Sequence, residues 1–254
     1  MFDIGANLTS SRFSDDLDGV LSDSLAAGVE KICITSSNLE DVKNAKKITE
    51  RYENTYYSVG FHPHNAKDFK VEHLKDIAAH FNDPKAICLG EMGLDFNRNF
   101  SSKEEQILCF ESQLDLADSI IKPLFLHQRD AHGEFLGILD NYKFNQNLIV
   151  HCFTGNLFEL EDYLKRDFYI GITGWVCDLK RGKELRECIK HIPEDKLLIE
   201  TDCPYLSPRK KIRRNEPKFL IDVAAEIALL RKETKENIIN SSFENSLNFF
   251  NLHR

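Results

Sequence analysis

The chain has 254 residues, of which 42% are hydrophobic and 29% charged, values that are ordinary for a soluble globular protein. Its net charge of −8 argues against binding nucleic acid through overall positive charge, so such binding needs a local basic patch. No apolar run reaches the ~18 residues of a transmembrane helix, and the N-terminus lacks the pattern of a signal peptide. We therefore expect a cytoplasmic protein that does not bind membranes.

The seven cysteines form no CxxC pair, which argues against a thiolate metal site or a redox motif of that spacing. Their number is odd and several lie in apolar runs. We expect them to be small core residues in a reducing compartment.

Short β-prone runs alternate with helical segments along the whole chain. The predicted strands are residues 2–8, 31–36, 56–63, 86–94, 123–130, 148–155, 169–175 and 197–204. One helix is predicted over 103–121, preceded by a capping-box signal in which Ser101 and Ser102 come before Glu104 and Glu105. Its apolar residues recur at steps of three and four, at Ile107, Phe110, Leu114, Ala117 and Ile121. A second helix is predicted over 215–231.

This alternation predicts a parallel sheet, because parallel strands need helical crossovers. Eight such units in a chain of this length predict a single-domain (β/α)8 TIM barrel covering residues 1–254. A doubly wound open sheet is the alternative. No GxGxxG or GxxxxGK[ST] motif follows any predicted strand, so the main sequence evidence for a nucleotide-binding open sheet is missing.

Polar residues recur where the predicted strands end. The third strand ends at His62 and His64, the fourth at Glu91, the fifth at His127, the sixth at His151 and the eighth at Asp202. In a barrel these ends meet on one face, where active sites lie. A single strand histidine is more often a hydrogen-bonded core residue, but four strands that supply two carboxylates and two imidazoles indicate a divalent-cation site. Its predicted ligands are Glu91, His127, His151 and Asp202.

The expected chemistry follows from such a site. A bound cation lowers the pKa of its water to about 7, which generates hydroxide at neutral pH. Asp202 can position or deprotonate that water, and Glu91 can bridge two metals, so both are catalytic candidates. Mixed nitrogen and oxygen ligands accept Mg²⁺, the first expectation, as well as Mn²⁺ or Zn²⁺. No GxSxG elbow supports serine nucleophilic catalysis.

A basic segment, SPRKKIRRNEP at residues 207–217, follows the last predicted strand, and five of the six residues 209–214 are Lys or Arg. Such a segment is usually a solvated loop. Loops after strands seven and eight of a barrel often bind phosphate, however, and arginine pairs well with phosphate oxygens. The candidate phosphate-binding residues are Arg98, Arg129, Arg213 and Arg214. Phe96, Phe100 and Trp175 are candidates for base stacking, with core packing as the alternative for each.

The motifs along the whole chain resemble, in order, those of the TatD family of metal-dependent deoxyribonucleases. They are FDIGANLTS, GFHPH, GEMGLDFNRNFS, HQRDAH, HCFTG, YIGITGWVCD, LLIETDCPYL and RRNEP. The resemblance implies a TIM barrel of the metallo-dependent hydrolase type. It also implies a divalent-metal phosphodiesterase with 3′→5′ exonuclease action on single-stranded DNA and RNA, as in the branch that contains TatD itself.

The resemblance also assigns roles to single positions. Glu91 matches a metal-bridging glutamate, His127 and His151 match histidine ligands, and Asp202 matches a metal ligand or water-activating base. His62 and His64 match an HPH motif that lines the pocket and contacts substrate phosphate. Many members carry DxHxH on the first strand, where this chain has Gly5 and Asn7 in place of the histidines. We therefore expect one tightly held metal in the free protein.

The sequence thus predicts a monomeric, metal-dependent nuclease acting on single-stranded DNA or RNA. Two alternatives stay open at this stage. One is an amidohydrolase-type enzyme acting on a small cyclic amide or ester. The other is a nucleic-acid-binding scaffold that has lost catalysis, against which the four predicted ligands argue.

Overall fold

The computed structural model describes residues 1–253, and within them strands and helices alternate as predicted. The strands are β1 (Phe2–Ala6), β2 (Lys31–Ile34), β3 (Thr55–Val59), β4 (Ala86–Asp95), β5 (Leu124–Arg129), β6 (Leu148–Val150), β7 (Tyr169–Ile172) and β8 (Leu197–Ile199). The α-helices are α1 (Leu17–Ala26), α2 (Leu39–Arg51), α3 (His73–His80), α4 (Lys103–Ala117), α5 (His132–Leu139), α6 (Leu157–Lys165), α7 (Lys183–Cys188), α8 (Leu220–Arg231) and α9 (Lys235–Phe250). The main 3₁₀ segments are Ser11–Phe13, Pro63–Asp68, Gly174–Cys177 and Pro217–Phe219.

The strands form a sheet whose order is the chain order, β1 to β8, in the described part of the chain. The pairs β1–β2, β3–β4, β4–β5, β5–β6 and β7–β8 are all parallel. An additional parallel bridge joins Ala6, at the end of β1, to Cys203, which follows β8. The order and direction of the strands confirm the predicted (β/α)8 class, and the doubly wound alternative is wrong.

Contacts divide the chain into two compact units. One consists of residues 1–34 with the segment from residue 151 onward, and the other of residues 35–150. Each unit has its own core, which includes Phe13 and Tyr163 in the first and Tyr57, Phe110 and Phe125 in the second. That the chain folds as a single domain stays a prediction. Among the described residues, no helix combines the length and apolar character needed to cross a bilayer.

Helix α4 begins as predicted and ends early. Ser102 accepts a hydrogen bond from the Glu105 N–H, and the Glu105 carboxylate accepts one from the Ser102 N–H, so the capping box is confirmed. The helix ends at Ala117, because the chain then turns toward β5. Ile121 is 85% exposed, and its predicted place on the buried face is wrong. The helix predicted over 215–231 begins only at Leu220, after a 3₁₀ turn.

The cysteines lie mostly in the core. Five are buried, at positions 33, 88, 109, 188 and 203, while Cys152 and Cys177 are partly exposed. None of the seven forms a disulfide in the described residues. Burial raises the pKa of Cys109 and of Cys177 to about 12, so these thiols stay protonated at neutral pH.

Candidate active site

A cluster of two imidazoles and a carboxylate lies in the unit of residues 35–150. The Glu91 Oε1 atom is 3.1 Å from His62 Nε2 and 3.0 Å from His127 Nδ1, and the two ring nitrogens are 3.3 Å apart. Glu91 was predicted to end its strand, and this is wrong. It lies in the middle of β4, because that strand continues to Asp95. His127 likewise lies inside β5, and His62 follows β3 by three residues. The strand register nevertheless brings the predicted ligands Glu91 and His127 together.

His62 is fixed as a neutral hydrogen-bond donor. Its Nδ1 accepts a hydrogen bond from the backbone N–H of His64 at 3.0 Å, which caps the 3₁₀ segment Pro63–Asp68. Burial lowers the pKa of His62 to about 4, against the raising effect of Glu91 beside it. A neutral imidazole has one N–H and one lone pair, so the Nδ1 acceptor leaves the hydrogen on Nε2. His62 therefore donates to Glu91, whose carboxylate keeps further lone pairs for a cation.

His64 and Asp95 form a second pair next to this cluster. His64 Nε2 lies 2.6 Å from Asp95 Oδ2, and His127 Nε2 lies 3.6 Å from the same oxygen. Burial opposes ionisation of Asp95, but the nearby His127 ring and hydrogen bonds from His64 and the Arg98 N–H hold its pKa well below the usual range. The ionised form of Asp95 is thus favoured, and its carboxylate lies between His64 and His127. Asp95 was missed from the sequence, although it lies within the motif GEMGLDFNRNFS.

Two buried glutamines of α4 hold the loops that carry these residues. The Gln113 side chain accepts a hydrogen bond from the Phe61 N–H and donates one to the Phe61 carbonyl, directly before His62. Gln106 makes the same two bonds with the backbone of Asp95. Each amide pairs both backbone groups of one residue, so the positions of His62 and Asp95 are set by one rigid helix.

Glycines on both sides of Glu91 allow β4 to approach β5 closely. Gly90 and Gly93 have φ values of +138° and +145°, which L side chains rarely adopt. A Cβ at Gly90 would overlap the carbonyl oxygen of Phe125, and one at Gly93 would overlap that of His127. Only glycine therefore fits at these two positions beside the ligand pair.

His151 and Asp202, the two other predicted ligands, lie in the unit formed by residues 1–34 and the segment from 151 onward, each with its own neighbours. His151 follows β6 directly and is 3% exposed, with Nδ1 3.2 Å from Glu200 Oε2. Asp202 follows β8 by three residues, in a left-handed conformation with φ of +50°. Its Oδ1 accepts a hydrogen bond from the Asn7 side-chain amide at 2.8 Å. Their roles as metal ligands stay predictions.

Asp3, on the first strand, is held by neighbours in its own unit. Its carboxylate is fully buried and accepts hydrogen bonds from the N–H of Thr201 at 2.8 Å, the Thr201 hydroxyl at 2.6 Å and the N–H of Gly5. Burial raises the pKa of Asp3 to about 8, against the lowering effect of the Thr201 hydrogen bonds. Asp3 is therefore a structural group that links β1 to the segment after β8. The expectation of one tightly held metal stays a prediction.

Candidate substrate-binding side chains near Asp95 are accessible to solvent. Arg98 is exposed and Arg129 partly exposed, and neither guanidinium forms an ion pair within residues 1–253. Phe100 is 57% exposed and packs edge-on against His64, with ring centroids 4.8 Å apart. Phe96 is covered by the Lys103 ammonium at 4.4 Å from its centroid, so it is less accessible for stacking.

The basic segment near the C-terminal helices divides into two classes of side chain. Arg214 bonds Asp16 through both terminal nitrogens, at 2.8 and 2.6 Å, and also pairs with Glu216 at 2.9 Å. Arg209 pairs with Asp222. The Arg213 side chain is exposed, while its carbonyl accepts a hydrogen bond from Arg12. Arg214 is thus held by carboxylates, whereas Arg213 extends into solvent; a substrate role for either stays a prediction.

The Trp175 ring is also covered by a residue of its own unit. Its indole N–H donates to the Arg181 carbonyl at 3.2 Å, and the Arg181 guanidinium lies 4.6 Å from its ring centroid. This covered ring is a weaker candidate for base stacking than the open ring of Phe100.

The donor set around Glu91 fits a divalent cation. Ligand atoms of His62, Glu91 and His127 all lie within 4.8 Å of one another, and a combination of carboxylate oxygen and imidazole nitrogen suits Mg²⁺, Mn²⁺ or Zn²⁺. The Glu91 carboxylate keeps lone pairs in this hydrogen-bonding pattern, and His127 can offer the ring nitrogen that does not carry its hydrogen. The identity of the cation stays a prediction.

Comparison with known proteins identifies the family to which this site belongs. The family model described as "TatD related DNase" matches residues 2–251. The chain belongs to the TatD-related DNase family. A relative in Citrobacter koseri, named 3′-5′ ssDNA/RNA exonuclease TatD, is 45% identical over 239 residues, which cover 92% of each chain.

Solved structures of the TatD family share the fold. The TatD homologue YJJV of Escherichia coli k12 has a TM-score of 0.92 at 26% identity, covering 100% of this chain and 98% of that one. A TatD family hydrolase of Entamoeba histolytica has a TM-score of 0.90 at 29% identity, covering 98% and 97% of the two chains. The predicted TatD resemblance and the TIM-barrel class are therefore confirmed.

Proposed function

We propose that this chain is a divalent-metal-dependent nuclease that removes nucleotides from the 3′ end of single-stranded DNA and RNA. Membership of the TatD-related DNase family and the name of its Citrobacter koseri relative support the reaction class and polarity. The observation that carries the proposal is the cluster of Glu91 with His62 and His127, whose atoms approach within 3.3 Å. The proposal includes cytoplasmic location and a monomeric state.

Glu91 and His127 would hold the cation, with Mg²⁺ as the first expectation. His151 and Asp202 are the further ligands proposed from the sequence, and Asp202 is also the proposed base. When bound, the cation supplies Lewis-acid stabilisation of the phosphodiester and an acidified water nucleophile.

The protein's own groups orient the substrate and move protons. The His62 Nε2–H orients the Glu91 carboxylate, and His62 and His64 are the imidazoles proposed to contact substrate phosphate. Arg98 and Arg129 offer guanidinium groups for the phosphates, and Phe100 offers a flat apolar surface for an unstacked base. An exposed aromatic ring of this kind favours single strands, because bases in a duplex are already stacked on each other.

Glu91→Gln tests the proposal, because it retains the shape of the side chain but removes the charge of a ligand. We expect the rate on a 5′-labelled single-stranded oligonucleotide to fall by at least ~100-fold, the loss typical when a metal-site group is removed. Glu161→Gln, on the exposed surface of α6, is the matched control and should leave the rate unchanged. Near-normal turnover of Glu91→Gln at saturating metal would exclude the metal role of Glu91.

The same assay separates the two alternatives. A 3′→5′ exonuclease yields a ladder that shortens from the unlabelled 3′ end, is abolished by EDTA and is blocked by a 3′ phosphorothioate. A scaffold without catalysis binds the oligonucleotide and leaves it intact. An amidohydrolase-type enzyme neither shortens nor binds it, and instead hydrolyses a small cyclic amide or ester.

A further inference from the structure

Glu200 is a carboxylate to which no role has yet been given. It follows β8 directly and is 0% exposed, in a segment that the sequence presents only as a strand end. Burying an acidic group is unfavourable unless its oxygens are hydrogen-bonded, so its partners indicate why it is retained.

Both oxygens of Glu200 bond the two residues that follow β6. Oε1 accepts a hydrogen bond from the Cys152 backbone N–H at 2.5 Å, and Oε2 lies 3.2 Å from His151 Nδ1. The Glu200 backbone is itself fixed, since its N–H donates to the Ile172 carbonyl at the end of β7 at 3.0 Å. One carboxylate therefore holds both the ring of His151 and the backbone next to it.

Two local features show that the surrounding chain fits this arrangement. Cys152 has a φ of +46°, a left-handed conformation that is uncommon for a residue with a side chain, and the bond from its N–H to Glu200 stabilises that turn. Gly171 lies alongside, where a Cβ would be 2.7 Å from Glu200 Oε1 and 3.1 Å from His151 Cα. The absence of a side chain at Gly171 leaves the space that Glu200 occupies.

We propose that Glu200 is a positioning residue that fixes His151 in the tautomer required of a metal ligand; this inference rests on the proposed function. A carboxylate at Nδ1 keeps the ring hydrogen on that atom, so Nε2 keeps the lone pair that a cation needs.

Glu200→Gln separates this role from simple packing. A glutamine side chain has one oxygen and one NH₂ group, so it cannot accept from both the His151 ring N–H and the Cys152 N–H. We expect the affinity for Mn²⁺, measured by calorimetry on the metal-free full-length protein, to fall 10- to 100-fold. Glu226→Gln is the control, because it removes an ion pair with Arg186 in the same unit without contacting His151. Its affinity should stay within about twofold of the wild-type value, as for a group outside the ligand shells.

The His151 tautomer in the wild-type protein gives a readout that needs no variant to fold. In metal-free protein labelled with ¹⁵N-histidine, we expect the His151 ring to carry its hydrogen on Nδ1, and Glu200→Gln to give a mixture of tautomers. A wild-type ring with the hydrogen on Nε2, or an unchanged Mn²⁺ affinity in Glu200→Gln, would overturn the inference. If Glu91→Gln binds Mn²⁺ as the wild type does while the His151 tautomer is as expected, the proposed metal site fails and the hydrogen-bond assignment of Glu200 stands.

Discussion

The basic segment at residues 209–214 offers a direct test of how the protein binds nucleic acid. Lys210, Lys211 and Arg213 are exposed and form no ion pair within residues 1–253. Arg209 and Arg214 are bound to carboxylates, so replacing them would disturb the fold as well as the surface charge. The informative variant therefore changes only the three unpaired cations to glutamine.

The expected effect is a change in salt dependence. Each phosphate neutralised on a single strand contributes about −0.7 to the slope of log affinity against log salt concentration. Loss of three such contacts makes the slope shallower by up to about 2. Between about 50 and about 200 mM salt, the wild-type affinity should then fall about 16-fold more than that of the variant.

Binding is measured by fluorescence anisotropy of a 5′-labelled oligonucleotide in EDTA, so that cleavage does not interfere. The control variant changes Lys43, Lys75 and Lys183 to glutamine, which removes the same charge at exposed positions without an ion pair in the described chain. A slope that stays at the wild-type value in the Lys210, Lys211 and Arg213 variant would refute the reasoning and leave this segment as a solvated surface. If the slope becomes equally shallow in both variants, the effect is due to net charge alone.

Two further predictions concern Phe100 and Asp3. Phe100→Leu should weaken binding of a single-stranded oligonucleotide about fivefold or more, since stacking contributes ~1–3 kcal/mol per base. It should not affect binding of an oligonucleotide with abasic 3′ residues. Phe158→Leu is the control, because this ring on α6 is 67% exposed. An equal loss on both oligonucleotides would exclude stacking. Burial raises the pKa of Asp3 from 3.8 to about 8, so the folded protein retains a proton that the unfolded chain releases. The bound proton stabilises the folded state fully below about pH 4, and this stabilisation is lost as the pH rises through about 8. The free energy of unfolding should therefore fall over this range relative to that of the Asp3→Asn variant. Parallel urea-unfolding results for the two proteins at every pH would contradict the raised pKa.

The sequence predicted the fold well because each strand is a short apolar run between helical segments. It also selected Glu91, His127 and His62, which the structure brings together. Their residue types and their positions near the predicted strand ends can be recognised from the sequence alone. It placed Glu91 at a strand end, because an apolar run containing a carboxylate does not show that β4 continues to Asp95. Glu200 was missed because a buried acid is distinguished only by its partners, which lie 48 and 49 residues away in the chain.

The pairing within the basic segment was equally hidden from the sequence. Arg213 and Arg214 are adjacent and chemically identical, yet only Arg214 meets Asp16, which is 198 residues distant in the chain. Likewise, Gln106 and Gln113 appear as ordinary polar positions on a helix, although both are buried and bind the backbone of Asp95 and Phe61. Such long-range hydrogen bonds depend on tertiary packing, which local periodicity does not encode.

The burial of the thiols makes this protein suitable for site-specific labelling. Thiol-reactive dyes attack the thiolate, and five of the seven cysteines are buried while the partly exposed Cys177 has its pKa raised to about 12. Cys152 is then the main native thiol to replace before a reporter is introduced. A dye attached through Lys210→Cys would lie on the exposed basic segment and follow the arrival of a DNA strand in real time, with the native core thiols left in place.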